Sequence, residues 1–350
     1  MRYNGTMAPR GTVQRRLTVA VTGPSGEIGQ AVVGALERSR EVGRILGMAR
    51  RPFDPHARGW KKVSYRRGDV LDRGAVTALV EEADVVVHLA FMIMGGAKES
   101  RAVNLVGSRN VFEASVSAGA KRLVYASSVA AYGFHRDNPQ PLIEEVPARG
   151  TAGHYYSAQK AEVEGLLADT LAGGATAGYV FRPCIVAGAH APLLIDSLPY
   201  TQISGRLPGP VLALLEGVPI LKPVLPDPGT PFQLVHHDDV ASAMRAAVLG
   251  RGAPGVYNLA GPGQLTVKLL AEELGWYSIP VPELAVDAVA EMVGRLGFLP
   301  AQAQWIAAFR EPVIMSASKA RRELGWRPRH DALHTLRETI TATRMDRLIR

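Results

Sequence analysis

Tyr156 and Lys160, in the run Tyr156-Ser157-Ala158-Gln159-Lys160, stand four residues apart and so share one face of a helix. A cation beside a phenol favours the phenolate. The pairing brings tyrosine's pKa down from ~10 toward the range in which it exchanges a proton with an alcohol or a carbonyl group. Ser128 lies upstream, just after the apolar run Leu123 to Ala126, which reads as a strand. A serine there sits on the sheet edge where open α/β folds bind ligands.

A second constellation lies near the N-terminus. Val19-Ala20-Val21-Thr22 runs into Gly23-Pro24-Ser25-Gly26-Glu27-Ile28-Gly29, and an amphipathic stretch follows. In such a strand, turn and helix, glycines three apart let the backbone approach a pyrophosphate, and the helix N-terminus supplies unpaired N–H groups and a positive dipole end. Gly23, Ser25, Gly26, Glu27, Ile28 and Gly29 are therefore the expected dinucleotide-binding turn. The next strand ends Gly47-Met48-Ala49-Arg50-Arg51, without the carboxylate that usually takes the adenosine ribose hydroxyls. Arg50 and Arg51 can hold a 2′-phosphate bidentately, so NADP is favoured over NAD, with Asp54 nearby as the opposing charge.

These residues need a scaffold, and the pattern around them supplies one. Leu17 to Val21, Arg44 to Ala49, Val63 to Arg66, Val85 to Leu89, Leu123 to Ala126 and Tyr179 to Phe181 read as strands. Glu27 to Arg38, Arg73 to Glu82, Glu99 to Ala118 and His154 to Leu171 show helical spacing between them. Alternation of this kind predicts a doubly wound α/β fold with a parallel sheet. After Arg182-Pro183, prolines break the chain repeatedly. Gln233 to Val235 and a helix from Asp238 to Leu249 are placed back on the sheet, Val256 to Ala260 is a further apolar run, and Thr266 to Leu274 is a capped helix ending at Gly275. The expected division is a dinucleotide-binding domain over 16–190, with 233–258 returning to it, and a smaller, mostly helical substrate domain over 191–232 and 259–345. Residues 1–15 read as a flexible tail.

Composition narrows the class. The chain has 350 residues, 47% hydrophobic and 21% charged, with 36 glycines and 24 prolines spread without a period, which excludes disordered and fibrous architectures. A single cysteine, Cys184, excludes an internal disulfide framework and a cysteine zinc site, and fits a reducing, cytoplasmic setting. The stretch Val211 to Leu225 is interrupted by Glu216, Pro219, Lys222 and Pro223, so no membrane span is expected. The net charge of +8 comes from scattered arginines with no basic stripe, which reads as a solvated surface rather than a nucleic-acid interface. His236, His237, Asp238 and Asp239 have ligand chemistry but suit a strand end followed by an aspartate helix cap, and no metal is expected. Cys184 reads as a small hydrophobe, and Met92 and Met94 beside Phe91 line an apolar pocket or pack in the core.

The glycine turn, Ser128, Tyr156 and Lys160, in this order, resemble the extended short-chain dehydrogenase/reductase family, in its NAD(P)-dependent epimerase/dehydratase branch. The likeness runs from about Leu17 to Arg329. Gly68-Asp69-Val70, His88-Leu89-Ala90, Asn104, Ala126-Ser127-Ser128, Phe181-Arg182-Pro183, Val235-His236-His237-Asp238-Asp239-Val240 and Ser318 to Trp326 carry it further. The resemblance implies a Rossmann sheet, with Asp69 and Val70 against adenine, and Leu89, Ala90 and Ala126 along the cofactor. It places Pro183, Cys184 and Ile185 by the nicotinamide, and Asn104 as a helper near the site. Ser128 would bind the substrate oxygen, Tyr156 would be the acid/base, and Lys160 would tune Tyr156 and hold the nicotinamide ribose. Phe91, Met92 and Tyr132 would join the substrate pocket; Phe91 replaces an alanine common among relatives.

The implied activity is NAD(P)-dependent hydride transfer on a secondary alcohol or ketone, as an oxidoreductase or epimerase, with a nucleotide sugar as one substrate class. Val129, Ala130 and Ala131 follow Ser128 where dehydratases of the family carry acids, which disfavours dehydration. Between Ala187 and Phe232 the only basic side chains are His190, Arg206 and Lys222, so an apolar ketone, as in hydroxysteroid-dehydrogenase-like relatives, is a second class. A non-catalytic cofactor sensor is a third reading, which the intact Ser128, Tyr156 and Lys160 set opposes. A small-molecule partner is expected, and a homodimer is compatible with this reading.

Overall fold

The structure, a computed structural model, describes residues 15–93, 97–198, 200–201, 222–281 and 312–349. The tail over 1–14, Met94, Arg206, most of the apolar stretch from Val211, and the span 282–311 of the smaller domain lie outside the described residues.

Seven parallel strands form the main sheet. In chain order they are β1 (Leu17–Thr22), β2 (Val42–Ala49), β3 (Val63–Arg67), β4 (Val85–His88), β5 (Arg122–Ala126), β6 (Ala177–Pro183) and, much later, β10 (Gly255–Leu259). Their spatial order is β10-β6-β5-β4-β1-β2-β3, so the winding reverses between β1 and β4. That reversal opens a crevice at the carboxyl ends of the strands. The central strands β1 and β4 are mostly apolar, as expected where helices cover both faces, while the edge strand β3 is mostly polar. Successive side chains point to opposite faces: Val19, Val21, Val85, Val87 and Val124 join one core, while Ala20, Val86, Leu123 and Tyr125 join the other.

Helix α1 (Glu27–Glu37) follows the glycine turn, and α2 (Arg73–Val80) starts at Asp72, whose carboxylate accepts the Ala75 N–H at 3.0 Å. Next, α3 (Ala97–Arg101) passes through a π-helical stretch over Ala102–Gly107 into α4 (Ser108–Ser117). Helix α5 (Tyr155–Leu171) lies between β5 and β6 in sequence. Beyond β6 come β7 (Ile185–Ala187), α6 (Leu193–Asp196), β8 (Val224–Asp227), β9 (Leu234–His236) and α7 (His237–Val248). After β10 come α8 (Val267–Leu274), β11 (Tyr277–Pro280), α9 (Ser318–Glu323) and α10 (Ala332–Ile349). No helix among the described residues is long and apolar enough to cross a membrane.

Two placements differ from the sequence expectation. Expected on the main sheet, Leu234–His236 pairs instead with Ile185–Ala187 in a separate two-stranded sheet. The main sheet's edge beside β6 is taken by Gly255–Leu259, most of it within the 233–258 stretch expected to return, which pairs with β6 over five residues. Met315, Ala317, Ala320, Leu324 and Trp326, expected with the smaller domain, join the core under the main sheet, where the Trp326 indole donates to the Asp239 carbonyl at 2.8 Å. A third apolar cluster, including Ile195, Leu225, Phe232, Leu270 and Leu336, holds β7, β9, α8 and α10 together.

Candidate functional site

A cavity of about 490 Å³ opens at the crevice. The glycine-turn residues Gly23, Gly26, Glu27, Ile28 and Gly29 line it, together with Leu89, Ala126, Ser128, Tyr156, Pro183, Cys184 and Ile185. Sequence-distant groups thus meet because parallel strands deliver their carboxyl ends to one edge.

The turn is built for close approach. Gly23 has φ +75° and its N–H donates to the Met48 carbonyl at 2.9 Å, locking the turn to β2. At Gly29 a Cβ would stand 2.0 Å from the Gly23 carbonyl oxygen, so only glycine lets α1 begin there. The first bond within α1 runs from the Gln30 N–H to the Gly26 carbonyl, at 2.9 Å, which leaves the N–H groups of 27–29 outside the helical ladder. Such an end suits a diphosphate. The Glu27 carboxyl beside it is pushed up to about 7, chiefly by burial, with the Leu193 N–H opposing.

Tyr156, Lys160 and Ser128 are brought together. Tyr156 is 8% exposed and hydrogen-bonds Ser128. Lys160, 3% exposed, donates through Nζ to the Ala126 carbonyl at 2.7 Å and to the Tyr125 hydroxyl at 3.4 Å. Its ammonium rests 3.6 Å from the centroid of the Phe91 ring and 5.8 Å from that of Tyr156. The electrostatics run opposite to the expectation from spacing. Burial pushes Tyr156 up to about 12, with the Ser128 hydrogen bond pulling the other way, and burial brings Lys160 down to about 7 against the pull of Glu164. Helical spacing puts the two residues on one face but does not aim the ammonium at the phenol oxygen.

Several expected site residues do other work. Tyr132 is fully buried, shares its one hydroxyl proton between the Asn258 side-chain oxygen (2.8 Å) and the Ile143 carbonyl (3.0 Å), and carries the Arg182 guanidinium over its ring at 4.3 Å, so it is a core residue and not a pocket wall. Met92 and Phe91 are both half-buried against the core, and Phe91 and Ile93, but not Met92, line the cavity. Asn104 is buried; its amide holds both the N–H (2.7 Å) and the carbonyl (3.0 Å) of Met92 and the Gln159 side chain (2.7 Å), which makes it a brace for that segment. Ser25, Arg50, Arg51, Asp69, Val70 and Ala90 lie outside the cavity wall. Arg50 and Arg51 are exposed just beyond β2, and the Val70 carbonyl accepts from Asn110.

His236, not an aspartate, caps α7: its Nδ1 accepts the Asp238 N–H at 3.2 Å. The ligand atoms of His236, His237 and Glu338 lie within 4.8 Å of one another. The cap occupies the His236 Nδ1, and its Nε2 lies 3.2 Å from a Glu338 carboxylate oxygen. Cys184 is a buried free thiol whose pKa burial raises, as a packing residue's is.

Sequence reasoning passed over Glu164 and Arg182. They form a buried ion pair at 2.6 Å, and Glu164 also accepts from Ser127. The signal was available, since Glu164 continues the Tyr156, Lys160 spacing by one more turn. It also passed over Phe134, Leu193, Leu194 and Phe232, which give the cavity its apolar lining.

A model of the NAD dependent epimerase/dehydratase family matches residues 19–260. The uncharacterized protein y4nG of Sinorhizobium fredii is 26% identical over 330 residues, 92% of this chain and 77% of that protein. Human 3 beta-hydroxysteroid dehydrogenase type 7 is 32% identical over 173 residues, so the match spans 44% of that relative's length and 44% of this chain. Among solved structures, UDP-glucose 4-epimerase of Thermotoga maritima, bound to UDP-glucose, superposes with a TM-score of 0.69 at 19% identity, covering 94% of this chain and 99% of that one. The matched segment holds the glycine turn and the Ser128, Tyr156 and Lys160 set alike, and the chain belongs to the NAD dependent epimerase/dehydratase family.

Proposed function

We propose that the protein binds a nicotinamide dinucleotide along the glycine turn and catalyses hydride transfer on a secondary alcohol or ketone, with Tyr156 exchanging the proton. The carrying observation is that the hydrogen-bonded Ser128 and Tyr156 line the same cavity as the glycine turn. Residues 27–29 would hold the diphosphate, and Arg50 a 2′-phosphate where NADP is the cofactor. The nicotinamide supplies the hydride. Ser128 and Tyr156 would both donate to the substrate oxygen, and the Tyr156 proton would pass to it during reduction. A phenol held at about 12 is protonated at neutral pH, which suits that direction.

The cavity wall favours an apolar substrate. Phe91, Ile93, Phe134, Leu193, Leu194 and Phe232 face it, and no Lys, Arg or His among the described residues lines it. A nucleotide sugar, the alternative suggested by the epimerase likeness, brings a diphosphate that needs cationic partners. The test is Tyr156→Phe assayed with an apolar cyclic ketone and with UDP-glucose. Turnover should fall by a factor of about 10³ with cofactor affinity unchanged. Near-wild-type turnover in Tyr156→Phe sinks the mechanism, and turnover of UDP-glucose alone moves the substrate class to nucleotide sugars.

A further inference from the structure

Lys160 is a buried ammonium that feels the charge of Glu164 but makes no salt bridge among the described residues. Glu164, one turn along α5, is committed to Arg182 at 2.6 Å and to Ser127. The other polar and titratable groups near it are neutral. His88 on β4 is pulled down to about 3 by burial and by Lys160, while Tyr125 on β5 and Tyr156 on α5 are raised phenols. Its hydrogen bonds are to the Ala126 carbonyl and the Tyr125 hydroxyl, and the space above Nζ is taken by the face of Phe91 at 3.6 Å. That ring also meets Tyr156 edge-on, with centroids 5.6 Å apart at 87°.

The ring is delivered by a braced segment. Asn104, from the π-helical stretch, holds Met92 by both backbone groups, and Gln159, the residue before Lys160, holds Asn104. The Tyr155 hydroxyl donates to the Ile93 carbonyl at 2.7 Å. Helix α5 thus fixes, through Asn104 and directly through Tyr155, the two residues that follow the ring covering its own lysine. Phe91 lines the cavity and Lys160 does not.

We propose that Phe91 is a positioning residue: its ring face and the Ala126 carbonyl form the seat of the Lys160 ammonium, and this seat sets how far the cation is shared with the Tyr156 phenol. The inference deepens the proposed reaction and rests on it for its catalytic meaning. A π face stabilises the charged form of a desolvated lysine, so its removal should make Lys160 a stronger acid.

The experiment is an NMR titration of the Lys160 ε-methylene in the cofactor-free protein, for wild type, Phe91→Leu and Phe91→Trp. Leucine keeps the bulk and removes the face; tryptophan keeps the face. The Lys160 acid constant should rise about tenfold in Phe91→Leu, the size expected for a desolvated cation–π contact, and return toward wild type in Phe91→Trp. Where turnover is measured, the limb of the kcat profile that reports Lys160 should move the same way, toward lower pH. An unchanged titration in Phe91→Leu, or equal titrations in the leucine and tryptophan variants, overturns the proposal. Failure of the reaction itself shows instead as an active Tyr156→Phe, a result on which the titration does not depend.

Discussion

Two glycines of one turn should fail in different ways when replaced by alanine. At Gly29 the added Cβ would meet the Gly23 carbonyl oxygen at 2.0 Å and the Pro24 carbonyl carbon at 2.9 Å. Both are backbone atoms of the turn itself, where ordinary carbon contacts lie at about 3.5–4.0 Å, so α1 must move by more than an ångström. Overpacking of that size costs about 3 kcal/mol. With an unfolding entropy of ~2.1 cal/mol/K per residue over this chain, that lowers Tm by about 4 °C. Gly26 is the contrast. Its φ of −75° and ψ of 170° suit any residue, and a Cβ there meets nothing nearer than the Gly23 oxygen at 3.5 Å. Gly26→Ala should therefore melt within about 1 °C of wild type. Yet Gly26 faces the cavity, so its methyl group would stand in the path of a diphosphate and cofactor affinity should drop about tenfold or more. Thermal melts with and without NAD(H) and NADP(H), together with fluorescence titration, measure both quantities. A Gly26→Ala variant that melts like Gly29→Ala, or one that binds cofactor as wild type does, refutes the reasoning.

Glu27 should make cofactor binding depend on pH: above about 7 its carboxylate becomes charged beside the proposed diphosphate site, so affinity should fall about three- to tenfold from pH 6 to 8, and Glu27→Gln should flatten the curve. Arg50→Ala should weaken NADP(H) about tenfold and leave NAD(H) unchanged in parallel titrations; equal losses would remove Arg50 from the 2′-phosphate. Glu164→Gln strands the Arg182 charge in the interior and should cost about 3–5 kcal/mol in urea unfolding. A loss below about 1 kcal/mol would mean that water reaches the pair.

Much of the scaffold was legible because its signals are local. The β1–turn–α1 unit follows from glycine spacing and a change of hydrophobic period, and Tyr156 and Lys160 share a face because helices repeat. What the sequence hid depends on contacts between distant segments. The Phe91 ring reaches Lys160 through a loop braced by Asn104, and neither spacing nor composition encodes that brace. The direction of the Tyr156 shift was misread because spacing carries no information on burial, and burial dominates it. Tyr132 and Met92 sit close in sequence to site residues, yet their side chains point to the core.

Helix α5 ties these results together. Its buried face carries Tyr156, Ser157, Gln159, Lys160 and Glu164 among only two aliphatic residues, Val163 and Leu167, where a helix on a sheet ordinarily presents an apolar stripe. Each polar group has a partner: Tyr156 has Ser128, Ser157 the Ala130 carbonyl at 2.6 Å, Gln159 the Asn104 amide, Lys160 the Ala126 carbonyl, and Glu164 has Arg182. A polar face this expensive to desolvate is poor packing by itself. It becomes intelligible if the face is there to hold a phenol and an ammonium dry beside a cavity. In that case the carboxylate at the far end belongs to the scaffold, and the ammonium is left to a ring and a carbonyl, from which it can still be drawn toward a second charge.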